Sequence, residues 1–115
     1  MSVKESQSTK VSATSYNILC DHFIVCTDIG FRVHEVKSCK LKVNCTQIEG
    51  GLSLCQSYNN TNIFFFVGTG RNPALPSTKL CLWDDSRKEI AAEVEFAKPI
   101  LDLKVLGEWI VIVDA

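Results

Sequence analysis

Cys20, His22 and Cys26 fall close together, and thiolate plus imidazole is a donor set that suits zinc. No C-x-x-C pair accompanies them and the other ligands of a tetrahedral site are missing, so buried strand cysteines are the plainer reading and no metal site is assigned. Asp84-Asp85 offers the carboxylate pair of an acid/base site. Adjacent strand residues point to opposite faces, however, and two such carboxylates do not converge on one substrate. The pair reads as the end of a strand. His22 and His34 have no serine or cysteine nucleophile in a recognisable motif. Gly68-Thr69-Gly70 is followed by Pro73 and Pro76, where a phosphate-binding loop would need a third glycine and a helix. These residues point away from an enzyme, with no catalytic residue and no cofactor.

The remaining cysteines and the sequons depend on compartment. The chain has six cysteines, Cys20, Cys26, Cys39, Cys45, Cys55 and Cys81, which a secreted domain would pair. The first eleven residues, MSVKESQSTKV, are polar and lack the apolar stretch of a secretory signal. They read as a flexible tail, 1–11, on a cytoplasmic chain with reduced thiols. The sequons at Asn44-Cys45-Thr46 and Asn59-Asn60-Thr61 would then go unused. Twelve Lys and Arg against thirteen Asp and Glu, with no long block of like charge, give no footprint for nucleic acid. The apolar run Ile63 to Val67 is far too short to cross a bilayer as a helix.

The elements that must position these residues read as strands. Val, Ile, Phe, Thr and Cys cluster in short runs separated by Gly, Asn, Asp and Pro, which predicts an all-β chain. One group of strands is expected near Ser12–Leu19, Asp21–Thr27, Phe31–Val36 and Leu41–Gln47, with Asp28-Ile29-Gly30 as a tight turn. Gly50-Gly51 breaks the chain. Leu52–Ser57, Ile63–Val67, Lys79–Asp84 and Glu89–Phe96 then repeat the rhythm, at a period of about 40 to 48 residues. The run Phe64-Phe65-Phe66 fits a buried inner strand better than an interaction patch. Ile100–Leu106 and Trp109–Asp114 begin a third unit that the 115 residues do not finish.

Four strands per repeat, with Trp83-Asp84 closing a third strand, predict a WD-repeat-type β-propeller. The expected organisation is blade 1 over 12–49, blade 2 over 50–98 and the first half of a truncated blade 3 over 99–115. An incomplete ring of about two and a half blades would leave one apolar face bare, so the isolated chain is expected to self-associate or to bind another propeller piece. The alternative is a small self-contained β-sandwich acting as a protein-interaction module, with Trp109–Asp114 as its last strand.

The segments TDIGFRVHEV (27–36), GGLSL (50–54), FFFVGTGRNPALPSTKLCLWDD (64–85) and EVEFAKPILDLKVLGEWIVIV (93–113) resemble the PROPPIN family. These are seven-bladed WD-repeat propellers that include the autophagy-related protein 18 group. The likeness runs over about residues 12–115. Its most specific parts are the Thr-Asp-x-Gly-Phe-Arg turn at Thr27–Arg32 and the Gly-x-Gly-x-x-Pro-Ala-Leu-Pro loop at Gly68–Pro76.

The resemblance implies a non-enzymatic, membrane-recruited scaffold in autophagy that binds phosphatidylinositol 3-phosphate and phosphatidylinositol 3,5-bisphosphate. The family does so through a Phe-Arg-Arg-Gly motif in later blades, where arginine's planar fork grips phosphate oxygens. This sequence has no such motif; Phe31-Arg32 belongs to a first-blade turn, and no lipid-binding residue is assigned. The likeness instead implies protein contact through the blade 2 loop, with the autophagy lipid-transfer scaffold as partner. The candidates are Asn72, Pro73, Pro76, Ser77, Thr78 and Lys79, in a loop whose two prolines reduce the ordering lost on binding. A solvated hairpin tip would need the same Gly and Pro residues. The basic pair that the family's yeast member has near the loop's end is reduced here to Lys79. The full protein would sit peripherally on autophagosomal precursor, endosomal or vacuolar membranes.

Overall fold

The computed structural model describes residues 10–16, 21–59 and 61–115. Most of the predicted tail, Asn17 to Leu19 of the first expected strand, Cys20 and Asn60 lie outside the described residues. Ten strands follow: β1 Val11–Tyr16, β2 His22–Thr27, β3 Phe31–Glu35, β4 Leu41–Cys45, β5 Leu52–Ser57, β6 Ile63–Gly68, β7 Lys79–Asp84, β8 Glu89–Glu95, β9 Ile100–Leu106 and β10 Trp109–Asp114. They form two four-stranded antiparallel sheets, ordered β1-β2-β3-β4 and β5-β6-β7-β8, and a β9-β10 hairpin. Each sheet is a meander of consecutive strands. Among the described residues no strand crosses between sheets, as a Greek-key sandwich would require.

The expected strand ends shift where the backbone finds other partners. β3 stops at Glu35 because the Cys39 N–H bonds the Glu35 carbonyl at 2.8 Å, with Cys39 at φ 58°. β4 stops at Cys45 because the chain leaves the sheet, and the Ile48 N–H bonds Ile29 O at 2.9 Å.

The inner strands β6 and β7 of the second sheet are buried on both faces. Phe64 and Phe66 of β6, with Cys81 and Trp83 of β7, pack against Ile24, Cys26, Phe31, Val33 and Cys45 of the first sheet. The intervening Phe65, Val67 and Leu80 pack against Ile100, Leu103 and Val105 of the hairpin. Alternate residues thus feed two cores, which is why β6 reads as a continuous apolar run. The Phe64-Phe65-Phe66 run is core, as expected, with Phe66 fully buried. The hydroxyls of Ser12 and Ser15 in β1 donate to the Leu52 and Cys55 carbonyls of β5, tying the two sheets together edge to edge.

Gly51 makes the passage between the sheets. Its φ is +81°, and a Cβ there would sit 2.5 Å from the Thr27 carbonyl oxygen and 2.6 Å from the Asp28 Cα, both backbone atoms. The first strand of the second sheet can therefore press against the β2–β3 turn only through a residue without a side chain. Gly51→Ala is expected to lower the unfolding free energy by about 1–3 kcal/mol from the strained conformation alone. Urea unfolding followed by circular dichroism reads this; an unchanged midpoint would mean that the close approach is dispensable.

Candidate functional site

The candidate contacts Asn72, Pro73, Pro76, Ser77, Thr78 and Lys79 lie on the connection from β6 to β7, which buries one residue to hold itself down. Leu75 joins the core between the two sheets, and a Cβ at Gly68 would meet its carbonyl oxygen at 2.4 Å. Polar groups then fasten the rest. The Thr69 hydroxyl donates to Gly50 O at 2.7 Å, and the Thr69 N–H to Gly51 O at 3.3 Å. The Asn72 amide donates to Glu49 O at 3.1 Å, while its Oδ1 accepts the Ala74 N–H at 3.0 Å in an Asx turn.

The far end of the loop is held as firmly. Lys79 Nζ donates to Ala74 O at 3.3 Å and pairs with Glu93 at 3.4 Å, while the Thr78 hydroxyl donates to Glu95 at 2.6 Å. The Ser77 carbonyl accepts the Ile100 N–H at 2.9 Å, fixing the loop to the hairpin. Asn72, Thr78 and Lys79 therefore spend their polar groups on tying the loop to neighbouring segments of the chain. What the loop shows to solvent is Arg71, Pro73 and Ala74, with Pro76 and Ser77 half-buried. Asn72, Thr78 and Lys79 are candidate contacts by their place in the loop, and residue type alone does not say which side chains fold back.

Asn72→Ala removes both side-chain bonds while leaving the Leu75 anchor in place. Local opening free energy is expected to fall by about 1 kcal/mol. Hydrogen exchange at the Ala74 and Leu75 amides should speed up several-fold while the global unfolding midpoint barely moves; a large drop in that midpoint would show that the loop is part of the cooperative core.

The other candidates are placed apart. His22 and Cys26 lie four residues apart on β2, roughly 13 Å along the strand, too far to share one ion, and Cys20 is outside the described residues. His22 Nδ1 lies 2.9 Å from Asp21, whereas His34 stacks on Phe23 with its Nδ1 3.0 Å from Cys39 O. Cys26, Cys45, Cys55 and Cys81 are buried, Cys39 is exposed, and burial pushes the Cys81 thiol up to about 11. Asn44 and Asn59 of the sequons are exposed.

Asp84 ends β7, as expected, and Asp85 begins the turn after it. The Ser86 hydroxyl, bonded to Asp84 at 2.6 Å, holds that carboxylate below its usual range. Asp85 accepts from the Trp83 indole at 3.2 Å and from Lys88 at 2.9 Å, so the pair clamps a sheet corner.

Sequence reasoning also missed a cleft of about 250 Å³ between the two sheets, at the end opposite this loop, lined by Val33, Val43 and Phe64 with His22, Lys42, Ser57, Asn59 and Thr61. Its residues come from separate strands and a loop, so no local motif announces it.

Over 92 residues the chain is 37% identical to SVP1-like protein 2 of Pichia angusta, covering 79% of this chain and 26% of that protein. Autophagy-related protein 18e of Arabidopsis thaliana is 32% identical over 106 residues, 90% of this chain and 28% of that protein. The chain belongs to the PROPPIN family. It spans about a quarter of the length of these PROPPIN relatives. No family model matches it.

Solved structures agree on the fold. Hsv2 of Kluyveromyces lactis superposes with a TM-score of 0.75 at 23% identity, covering 93% of this chain and 31% of that one. The β-propeller domain of Cps50 (Swd1) of Myceliophteria thermophila gives 0.60 at 10% identity, covering 91% and 31%. The chain therefore has the β-propeller fold that the repeat and the PROPPIN likeness implied, and the β-sandwich alternative falls.

Proposed function

We propose that this chain supplies the protein-docking blades of a phosphoinositide-effector propeller that works as a membrane-recruited scaffold in autophagy. The observation that carries the reading is the β6–β7 loop. It is braced by its own side chains and by Leu75, and it presents Arg71, Pro73 and Ala74 on a surface that loses little freedom when a partner binds. The partner in this reading is the lipid-transfer scaffold of the autophagy machinery, and the lipid is phosphatidylinositol 3-phosphate or the 3,5-bisphosphate, held by blades other than these. The relatives named above support the autophagy assignment, and the missing Phe-Arg-Arg-Gly motif supports the division of labour.

A chimera tests it, with this chain replacing the matching segment of Pichia angusta SVP1-like protein 2. Co-sedimentation is measured with vesicles containing phosphatidylinositol 3-phosphate, beside the unmodified relative. The chimera is expected to sediment and the isolated 115-residue chain to stay in solution. Selective sedimentation of the short chain would move the lipid site into these blades and make Arg32, Arg71 and Lys79 the residues to mutate. A folded chimera that ignores the lipid, while the unmodified relative binds it, would sink the membrane reading. In a chimera that sediments, Arg71→Glu should weaken capture of the scaffold protein without changing sedimentation.

A further inference from the structure

We propose that the turn between β3 and β4 is a contact for an anionic lipid surface, separate from the inositol-lipid site assigned above to other blades. Residues 36–42, Val-Lys-Ser-Cys-Lys-Leu-Lys, are exposed without a break and include three lysines and no acid. Val36 is 38% exposed and Leu41 47%, one on each side of the turn. Ammonium groups beside uncovered apolar side chains match the two layers of a membrane surface, anionic headgroups outside and hydrocarbon beneath.

Two of the three lysines are unspent. Lys37 and Lys40 have no ion pair among the described residues, whereas Lys42 lies 3.6 Å from Glu35. Glu35 also accepts from the Ser38 hydroxyl at 2.8 Å. Asp21, whose carboxylate lies beside His22, is the other acid at the base of the turn, and its carbonyl accepts the Val36 N–H at 3.0 Å. Lysines on a sheet edge deter strand addition, a role that suits Lys42 within β4. Lys37 and Lys40 lie outside both strands, where there is no ladder to guard.

The state of the backbone favours lipid over an acidic peptide. The Cys39 N–H bonds Glu35 O at 2.8 Å, the Glu35 N–H bonds Lys40 O at 2.9 Å, the Lys40 N–H bonds the Ser38 hydroxyl at 3.2 Å, and the Cys39 carbonyl lies 3.0 Å from His34 Nδ1. A peptide adding to this turn finds few donors or acceptors left, while a bilayer asks only for charge and apolar area. The same bonds hold the turn in one shape, so little freedom is lost on contact. The turn between β7 and β8 is the internal contrast, because Arg87 and Lys88 there are paired with Asp84, Glu89 and Asp85.

Flotation of the 115-residue chain with vesicles tests this without counting aggregates as bound. Vesicles of phosphatidylcholine alone are compared with vesicles in which about a third of the lipid is phosphatidylserine. Each lysine near such a surface raises partitioning about fivefold. The chain is therefore expected to bind the anionic vesicles at least about tenfold more strongly, and less so as salt rises. Lys37→Ala with Lys40→Ala should remove most of that preference, and Leu41→Ser should weaken binding several-fold while keeping it. Arg87→Ala with Lys88→Ala removes the same charge and should stay within about threefold of the parent chain. Neither lysine pair is buried, so the unfolding midpoints should stay put. Equal binding to the two vesicles, or an equal loss in the two double variants, would overturn the proposal. So would capture of polyglutamate through Lys37 and Lys40 with no preference for phosphatidylserine, which would make the turn a protein contact. Because neither vesicle carries phosphoinositide, the result is independent of the chimera's.

Discussion

Phe31→Ala is expected to lower the unfolding free energy by about 3–5 kcal/mol, a large share of the roughly 5–15 kcal/mol that holds an ordinary domain together. Phe31 opens β3, is fully buried, and meets the Phe64 ring of the second sheet at 4.8 Å with a 46° tilt. Its loss empties a volume that neither sheet can fill alone, because the ladder partners Cys26 and Cys45 are small and held by their own strands. Phe31→Leu keeps most of that volume and should cost under about 1.5 kcal/mol. Urea unfolding monitored by tryptophan fluorescence measures both variants. A Phe31→Ala loss below about 1 kcal/mol would mean that the blades do not depend on this contact.

The second large effect concerns association rather than folding. On β10, Trp109 is 76% exposed, Val111 43% and Val113 50%, and the cross-strand partner of Trp109, Leu106, is 50% exposed. Ile112 points the other way, into the core. A sheet face that carries Trp, Leu and two Val in water is a surface that seeks another surface. The isolated chain is expected to self-associate at micromolar concentration. Trp109→Lys with Val111→Lys should weaken that association tenfold or more, since burying either side chain is worth about 1.5–3 kcal/mol. Sedimentation velocity across a dilution series tests this. A monomeric parent chain, or a double variant that associates as before, would remove the hairpin from consideration.

Much of this architecture was legible because two periodicities carry it. Strand alternation and the Gly50-Gly51 break are local signals, and the observed strands begin and end within a few residues of the runs of Val, Ile, Phe and Cys. The Trp83-Asp84 pair marked the right strand end. Its neighbour Asp85 nevertheless takes the indole proton, a fact of turn geometry that residue type does not encode. The loop divides in the same way. Two prolines and two glycines announced it, but whether Lys79 faces a partner or Glu93 depends on a strand fourteen residues further on. The serine bonds from β1 to β5 depend on how two sheets approach each other. No pattern within either sheet records that.

Those serine bonds also shape what an assembly of this chain looks like. The free edge of a strand is a template on which another chain can add a strand, and repeated addition builds fibres. Ser12 and Ser15 occupy the Leu52 and Cys55 carbonyls on the β5 edge, so two acceptors of that edge are already taken. β4, β8 and β10 still end their sheets, and the apolar hairpin face adds a contact of a different kind. Pairing of that face with its own copy closes at a dimer, whereas pairing with any other surface of the next copy continues into an array.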